Sequence, residues 1–167
     1  MNTPSFLSEA VLYHDYRRRD ALDLSGNSND GTIANVTFNR NGGVFNGSNS
    51  AIAVSDAASL DFGTADFTLF FLVNKNSTDW CGLMEKVAVP GPGGATTAGF
   101  EISMDNLANS ATVRFGIADG SANVSSKPAG QTASAYDNKD TYIGLSVDRT
   151  AGTANLYING VFQFLCV

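Results

Sequence analysis

Residues 141–165 read TYIGLSVDRTAGTANLYINGVFQFL. In the first eight of these, Ile143, Leu145 and Val147 fall on one face, and Gly144, Ser146 and Asp148 on the other. A period of two marks a strand with one buried face. Ala151-Gly152 turns the chain, after which Leu156 and Ile158 again share a face. Asn159-Gly160 suits a type I′ turn, because both of its central residues need positive φ. Residues 161–165 then return as a partner strand. The stretch therefore predicts three antiparallel strands joined by two tight turns.

The same pattern extends upstream. Residues 66–73, DFTLFFLV, form the most apolar candidate strand. Being apolar on both faces, it predicts a mid-sheet strand covered on each side. Further short strands are expected at residues 10–14, 32–38, 44–45, 51–54, 83–87, 100–104 and 112–117. Residues 89–99 hold two prolines and four glycines and read as a loop. Residues 119–139 are small and polar, a long connection with room for one short strand. No segment of ten or more residues carries a helical period. About a dozen short strands separated by turns imply an all-β, two-sheet antiparallel sandwich. No repeat or linker divides it, so residues 1–167 read as a single domain.

Composition agrees. Apolar residues make up 43% and charged residues 16% of the 167 positions. The balance is Gly, Ser, Thr, Asn and Ala, which favour turns and short strands over helices. A net charge of -6 argues against a nucleic-acid partner, whose phosphates call for Lys and Arg. The basic cluster Arg17-Arg18-Arg19 reads as a solvated loop, with docking to an acidic neighbour as the alternative. No apolar run reaches the ~20 residues of a membrane span, so no membrane insertion is expected. The N-terminus shows no secretory pattern, which predicts synthesis in a cytoplasm without a signal peptide. Cys81 and Cys166 lack CxxC spacing, which excludes a metal knuckle and leaves their pairing open.

Four pieces, in order, carry a resemblance. They are Asp23-Leu24-Ser25-Gly26-Asn27-Ser28-Asn29-Asp30-Gly31-Thr32, then Gly43-Val44-Phe45-Asn46-Gly47, then residues 60–69, then residues 142–147 with Asn155-Leu156-Tyr157-Ile158-Asn159-Gly160. Together they resemble the laminin G-like, concanavalin A-like jelly-roll family over roughly residues 10–165. The resemblance implies a jelly-roll sandwich. It says little of function, because such sandwiches serve as lectins, adhesion modules, enzymes and coat proteins. Members of that family usually close with one more strand after the Asn-Gly hairpin. Here the sequence ends at Val167, which predicts a sheet edge filled by the first strand or by a neighbouring chain.

Glucan hydrolases of this fold place two catalytic carboxylates on one strand. The chain has three glutamates, Glu9, Glu85 and Glu101. Glu101, Ser103 and Asp105 share a face, but the second glutamate of the pattern is missing. His14, the single histidine, has no nucleophile elbow to serve and reads as a strand-end residue facing solvent or a backbone carbonyl. Asp23, Ser25, Asn27, Asn29 and Asp30 offer oxygens that calcium favours. The preferred reading of residues 23–30 is an Asx-rich turn satisfying its own backbone. Trp80 with Tyr136-Asp137-Asn138 is the candidate sugar platform. No catalytic, cofactor-binding or metal-ligating residue is assigned.

The expectation is a non-catalytic structural or binding module, exposed on a virion surface as a phage capsid decoration or a head or tail appendage. Its partners would be capsid or tail proteins, or further copies of itself. The alternative is a carbohydrate-binding adhesion module whose partners are host-surface glycans.

Overall fold

A computed structural model describes residues 9–77, 79–86, 99–104, 113–118, 123–126, 136 and 138–166. The chain is all-β, built from antiparallel sheets, and falls into two compact units, Met1–Gly63 and Thr64–Val167. Among the described residues no helix is long and apolar enough to cross a membrane.

In the first unit, β1 (Gly31–Ala34) pairs with β4 (Ala51–Val54), and β2 (Thr37–Asn39) with β3 (Gly42–Val44). The single strand expected over residues 32–38 is broken. Asn35 adopts a left-handed backbone with φ 52°, and its side-chain amide donates to the Asn49 carbonyl at 3.2 Å. Asn tolerates that conformation better than the β-branched residues around it, so the break falls there. Residues 10–14 contribute only an isolated bridge, His14 to Asp23. The Asp23 carboxylate takes the Tyr13 amide at 3.0 Å, so a side chain stands where a ladder acceptor was expected. Gly31 is required by close approach. A Cβ there would collide with Ile52 and lie 3.0 Å from the Ala21 methyl.

The second unit is a β-sandwich. Its strands are β5 (Phe67–Asn74), β6 (Cys81–Lys86), β7 (Gly99–Met104), β8 (Val113–Ala118), β9 (Asn123–Ser126), β10 (Asp140–Asp148), β11 (Thr153–Ile158) and β12 (Val161–Cys166). One sheet has the order β12-β11-β10-β5, the other β6-β7-β8-β9. Phe67, Leu69, Ile143, Leu145, Val147, Leu156 and Ile158 are buried from the first sheet, and Phe100, Ile102, Met104, Val113 and Phe115 from the second. The Phe67 and Phe100 rings meet with centroids 5.5 Å apart. Each such side chain, fully buried, contributes ~1.5–3 kcal/mol.

The C-terminal meander forms as expected. Asn159 and Gly160 have φ 51° and 77°, as a type I′ turn requires. The Asn159 side-chain oxygen also accepts from the Tyr142 amide at 2.9 Å. A bulge then shifts the β11–β12 register, so that Phe164 rather than Gln163 lies opposite the buried Leu156.

The expectation for residues 66–73 is corrected. Strand β5 pairs only with β10 among the described strands, at the end of the order given for its sheet. Its side chains alternate between buried and exposed, with Phe70 and Leu72 outward. The strand covered on both faces is β7, where Glu101 and Ser103 are as buried as Phe100 and Ile102. Apolar character on both sides of a strand does not by itself say which side faces water.

Candidate functional site: an exposed aromatic face on the β5-β10-β11-β12 sheet

Strict alternation decides what this sheet shows to solvent. Placing Leu69, Ile143, Leu145, Leu156 and Ile158 inward forces Phe70, Tyr142, Gly144, Ser146, Asn155 and Tyr157 outward. The register aligns them in rows. Phe70 lies opposite Gly144, Gly144 opposite Tyr157, and Tyr157 opposite Phe162. One step along, Thr68 lies opposite Ser146, and Ser146 opposite Asn155.

The first row is aromatic with a gap. Gly144 has no side chain, and the backbones of the two strands that flank it stand roughly 10 Å apart. A Cβ on Gly144 would lie 3.9 Å from Phe70 Cδ2 and 3.9 Å from Tyr157 Cβ. Each wall is braced by a second ring. Phe70 and Tyr142 have centroids 6.0 Å apart, and Tyr157 and Phe162 stand edge-on at 5.7 Å. Phe70 is 68% exposed, and Leu72, Tyr142, Tyr157 and Phe162 are exposed beside it. Large apolar side chains gathered on one outward face mark a contact surface.

The second row is polar. Strands β5, β10 and β11 contain no Lys, Arg or His. Asp140 and Asp148 stand at the two ends of β10. Asp140 accepts from the Asn74 side-chain amide at 2.9 Å, and Asp148 from the Ala151 amide at 2.7 Å. The face therefore joins aromatic walls and neutral hydrogen-bonding groups, and at its ends Lys139 adjoins Asp140 and Arg149 adjoins Asp148.

The residues singled out from sequence lie elsewhere. Glu101 is 2% exposed and Ser103 1% exposed, both on the side of β7 opposite Phe100 and Ile102. Glu85 lies directly across from Glu101, a carboxylate pairing that strand order alone could not reveal. Glu85 is exposed while Glu101 is buried, so the two do not flank an open cleft as glycoside hydrolysis requires. Asp105 and Asp137 lie outside the described residues. Trp80 packs its ring against Gly82, where an added Cβ would meet Trp80 Cη2 at 3.3 Å, and its indole nitrogen is buried. Tyr136 belongs to a turn anchored by the Asn138 amide on the Lys75 carbonyl at 2.7 Å, and burial pushes its hydroxyl pKa up. No ring contact joins Trp80 to Tyr136 among the described residues.

The 23–30 loop satisfies itself. Asp23 accepts from the amides of Tyr13, Ser25 and Asn29 at 2.9–3.0 Å and from the Ser25 hydroxyl at 2.7 Å. Burial pushes this carboxyl up, but those donors outweigh it and hold the pKa below the ordinary value. Asp30 accepts from the Asp23 amide at 2.8 Å. Asn29, also buried, donates to the Val11 carbonyl at 2.6 Å. Among the described residues no group of three or more His, Cys, Asp or Glu side chains could hold a metal ion.

His14 Nε2 lies 3.1 Å from the Asn29 carbonyl oxygen, and Nδ1 lies 3.3 Å from the Tyr16 hydroxyl. A carbonyl only accepts, so Nε2 carries the proton in that contact. The histidine thus braces the loop. Arg17 grips Asp15 with two 2.8 Å bonds, which hold that carboxyl below its usual pKa range. Both Arg17 and Arg18 remain exposed. Cys81 is a half-buried free thiol, and burial pushes its pKa up.

No curated protein matches the chain. A family model described as Clostridium neurotoxin, N-terminal receptor binding, matches residues 18–164. That stretch runs through both compact units and takes in β5, β10, β11 and most of β12. With nearly the whole sequence matched, the chain belongs to the Clostridium neurotoxin N-terminal receptor-binding family.

Proposed function

We propose that this chain is a non-catalytic recognition module that binds carbohydrate on a host cell-surface receptor, through the outward face of the β5-β10-β11-β12 sheet. The observation that carries the reading is the aromatic row Phe70–Gly144–Tyr157 set beside the polar row Thr68–Ser146–Asn155. Sugar rings present apolar C–H faces that stack on aromatics and hydroxyls that need neutral partners close by. The family's receptor-binding description supports the same role. Buried Glu101 gives no support to a hydrolytic one. The reading treats residues 1–167 as one domain, in keeping with a family match that runs through both units, and keeps the laminin G-like resemblance as a description of the sandwich. A virion-surface role with capsid or tail partners draws no support from the family match.

A glycan microarray probed with the whole chain and with Tyr157→Ala tests this. Specific hits that weaken in the variant are expected. A chain that binds no glycan but captures a deglycosylated receptor protein would overturn the reading.

A further inference from the structure

The sequence holds three Asn-Gly pairs, Asn41-Gly42, Asn46-Gly47 and Asn159-Gly160. Asparagine is chemically labile, most of all before glycine, which puts no side chain in the way of its own amide nitrogen. That nitrogen attacks the asparagine Cγ, which must swing onto it. The local sequence is shared by the three pairs, but their surroundings differ. Asn46 is held at both ends of its amide. Its Oδ1 accepts from the backbone amides of Ser48, Asn49 and Ser50 at 2.9, 3.0 and 3.2 Å, and its Nδ2 donates to Asn49 Oδ1 at 2.9 Å. Asn159 is held in a left-handed turn with φ 51°, where its Oδ1 accepts from the Tyr142 amide at 2.9 Å and its own amide donates to the Tyr142 carbonyl at 2.8 Å. Asn41 is exposed, and among the described residues its side chain makes no hydrogen bond. A Cβ on Gly42 would lie 4.0 Å from Tyr16 Cβ, so the attacking nitrogen is not crowded. The Gly42 amide donates to Asn39 Oδ1 as the longer member of a shared pair, 3.2 Å against 2.7 Å for the Asn41 amide.

We infer that Asn41 is a self-modification site, where the folded chain converts an amide to an acid while Asn46 and Asn159 are protected. The Gly42 nitrogen gives its proton to solvent and forms a bond to Asn41 Cγ. The Cγ–Nδ2 bond breaks, and Nδ2 takes a proton from solvent and leaves as ammonia. Water then opens the cyclic imide at either carbonyl, giving aspartate or isoaspartate at position 41. No oxidant or reductant takes part. Isoaspartate routes the backbone through one more carbon, and it does so in the turn Arg40-Asn41 that sets Asn39 opposite Gly42. The register of β2 and β3 is thereby disturbed, and with it the packing of Gly43 against Tyr16, where a Cβ would lie 3.5 Å from the ring.

The test is peptide mapping by mass spectrometry of the whole chain aged at mildly alkaline pH, folded and in guanidinium chloride, with isoaspartate scored by methyltransferase labelling. In the folded chain, conversion at Asn41 is expected to run at least roughly tenfold faster than at Asn46 or Asn159, because giving up their hydrogen bonds raises the barrier by that much. In guanidinium chloride the three rates should draw together. Amide hydrogen exchange in the aged, refractionated protein should rise in β2 and β3 and stay unchanged in β5 and β10. Equal rates at the three sites of the folded chain overturn the proposal. So does faster conversion at Asn46, which would make its three amide donors a cradle for the developing oxyanion rather than a lock. Rates that stay as far apart in guanidinium chloride assign the difference to sequence neighbours and overturn the structural account.

Discussion

Leu69 and Phe70 are neighbours on one strand, and the account requires opposite consequences for their removal. Leu69 is 7% exposed and faces the sandwich core, whereas Phe70 is 68% exposed and faces solvent. Leu69→Ala deletes buried carbon and leaves a cavity, at a cost of ~2–5 kcal/mol in stability. Phe70→Ala removes a ring whose one described aromatic contact is Tyr142 at 6.0 Å, so stability should move by less than ~1 kcal/mol. Binding reverses the order. Full burial of a Phe side chain is worth ~1.5–3 kcal/mol, and about two-thirds of it is still available to a ligand, which leaves ~1–2 kcal/mol. That corresponds to a Kd roughly 5- to 30-fold weaker in Phe70→Ala. Urea denaturation of both variants, with calorimetric titration of the best-bound glycan from the microarray, measures the two effects together. If Phe70→Ala loses as much stability as Leu69→Ala, the outward face is covered in solution. If it binds as wild type does, the aromatic row is not the platform.

Two further outcomes test the packing and the 23–30 loop of the first unit. Gly31→Ala should destabilise the chain by ~1–3 kcal/mol, because its methyl would meet Ile52 and Ala21, and a thermal melt at or above the wild-type value would contradict that packing. The second concerns the Asp23 carboxyl, whose pKa is lowered in the folded chain. A lowered pKa contributes stability that is present above the ordinary carboxylate value and is lost as pH falls through the folded one. The stability gap between wild type and Asp23→Asn should therefore close below about pH 4, and a gap that stays constant from neutral pH into acid would contradict the hydrogen-bonding account.

The meander was legible because its signals are local. Alternation over residues 141–148 and the Asn159-Gly160 pair fix strand faces and turn type within a few residues. The break at Asn35 was not legible, since it depends on a bond to Asn49 that sequence neighbours do not reveal. The exposed face was hidden for a different reason. Its two rows draw on residues 68–70, 144–146 and 155–157, which meet only once the β10 register is set against both neighbours. Phe70 and Leu72 also resemble core residues by composition, so the sequence reading covered them and looked instead to Trp80 and Tyr136. The available signal was Gly144, a glycine between two predicted inward residues of the clearest strand, where close approach by another molecule is a standard reason for glycine. The 23–30 loop was read correctly as self-satisfied, because Asx side chains act on backbone two or three residues away.

The central claim is that carbohydrate meets this chain on the outward face of the β5-β10-β11-β12 sheet. Amide chemical-shift mapping during titration with the best-bound oligosaccharide of the microarray tests it most directly. The account predicts shifts concentrated at Thr68–Phe70, Gly144–Ser146 and Asn155–Tyr157, with β7 and the 23–30 loop unmoved. Shifts confined to the 23–30 loop or to the Glu85–Glu101 side of β7, with Gly144 silent, would contradict it.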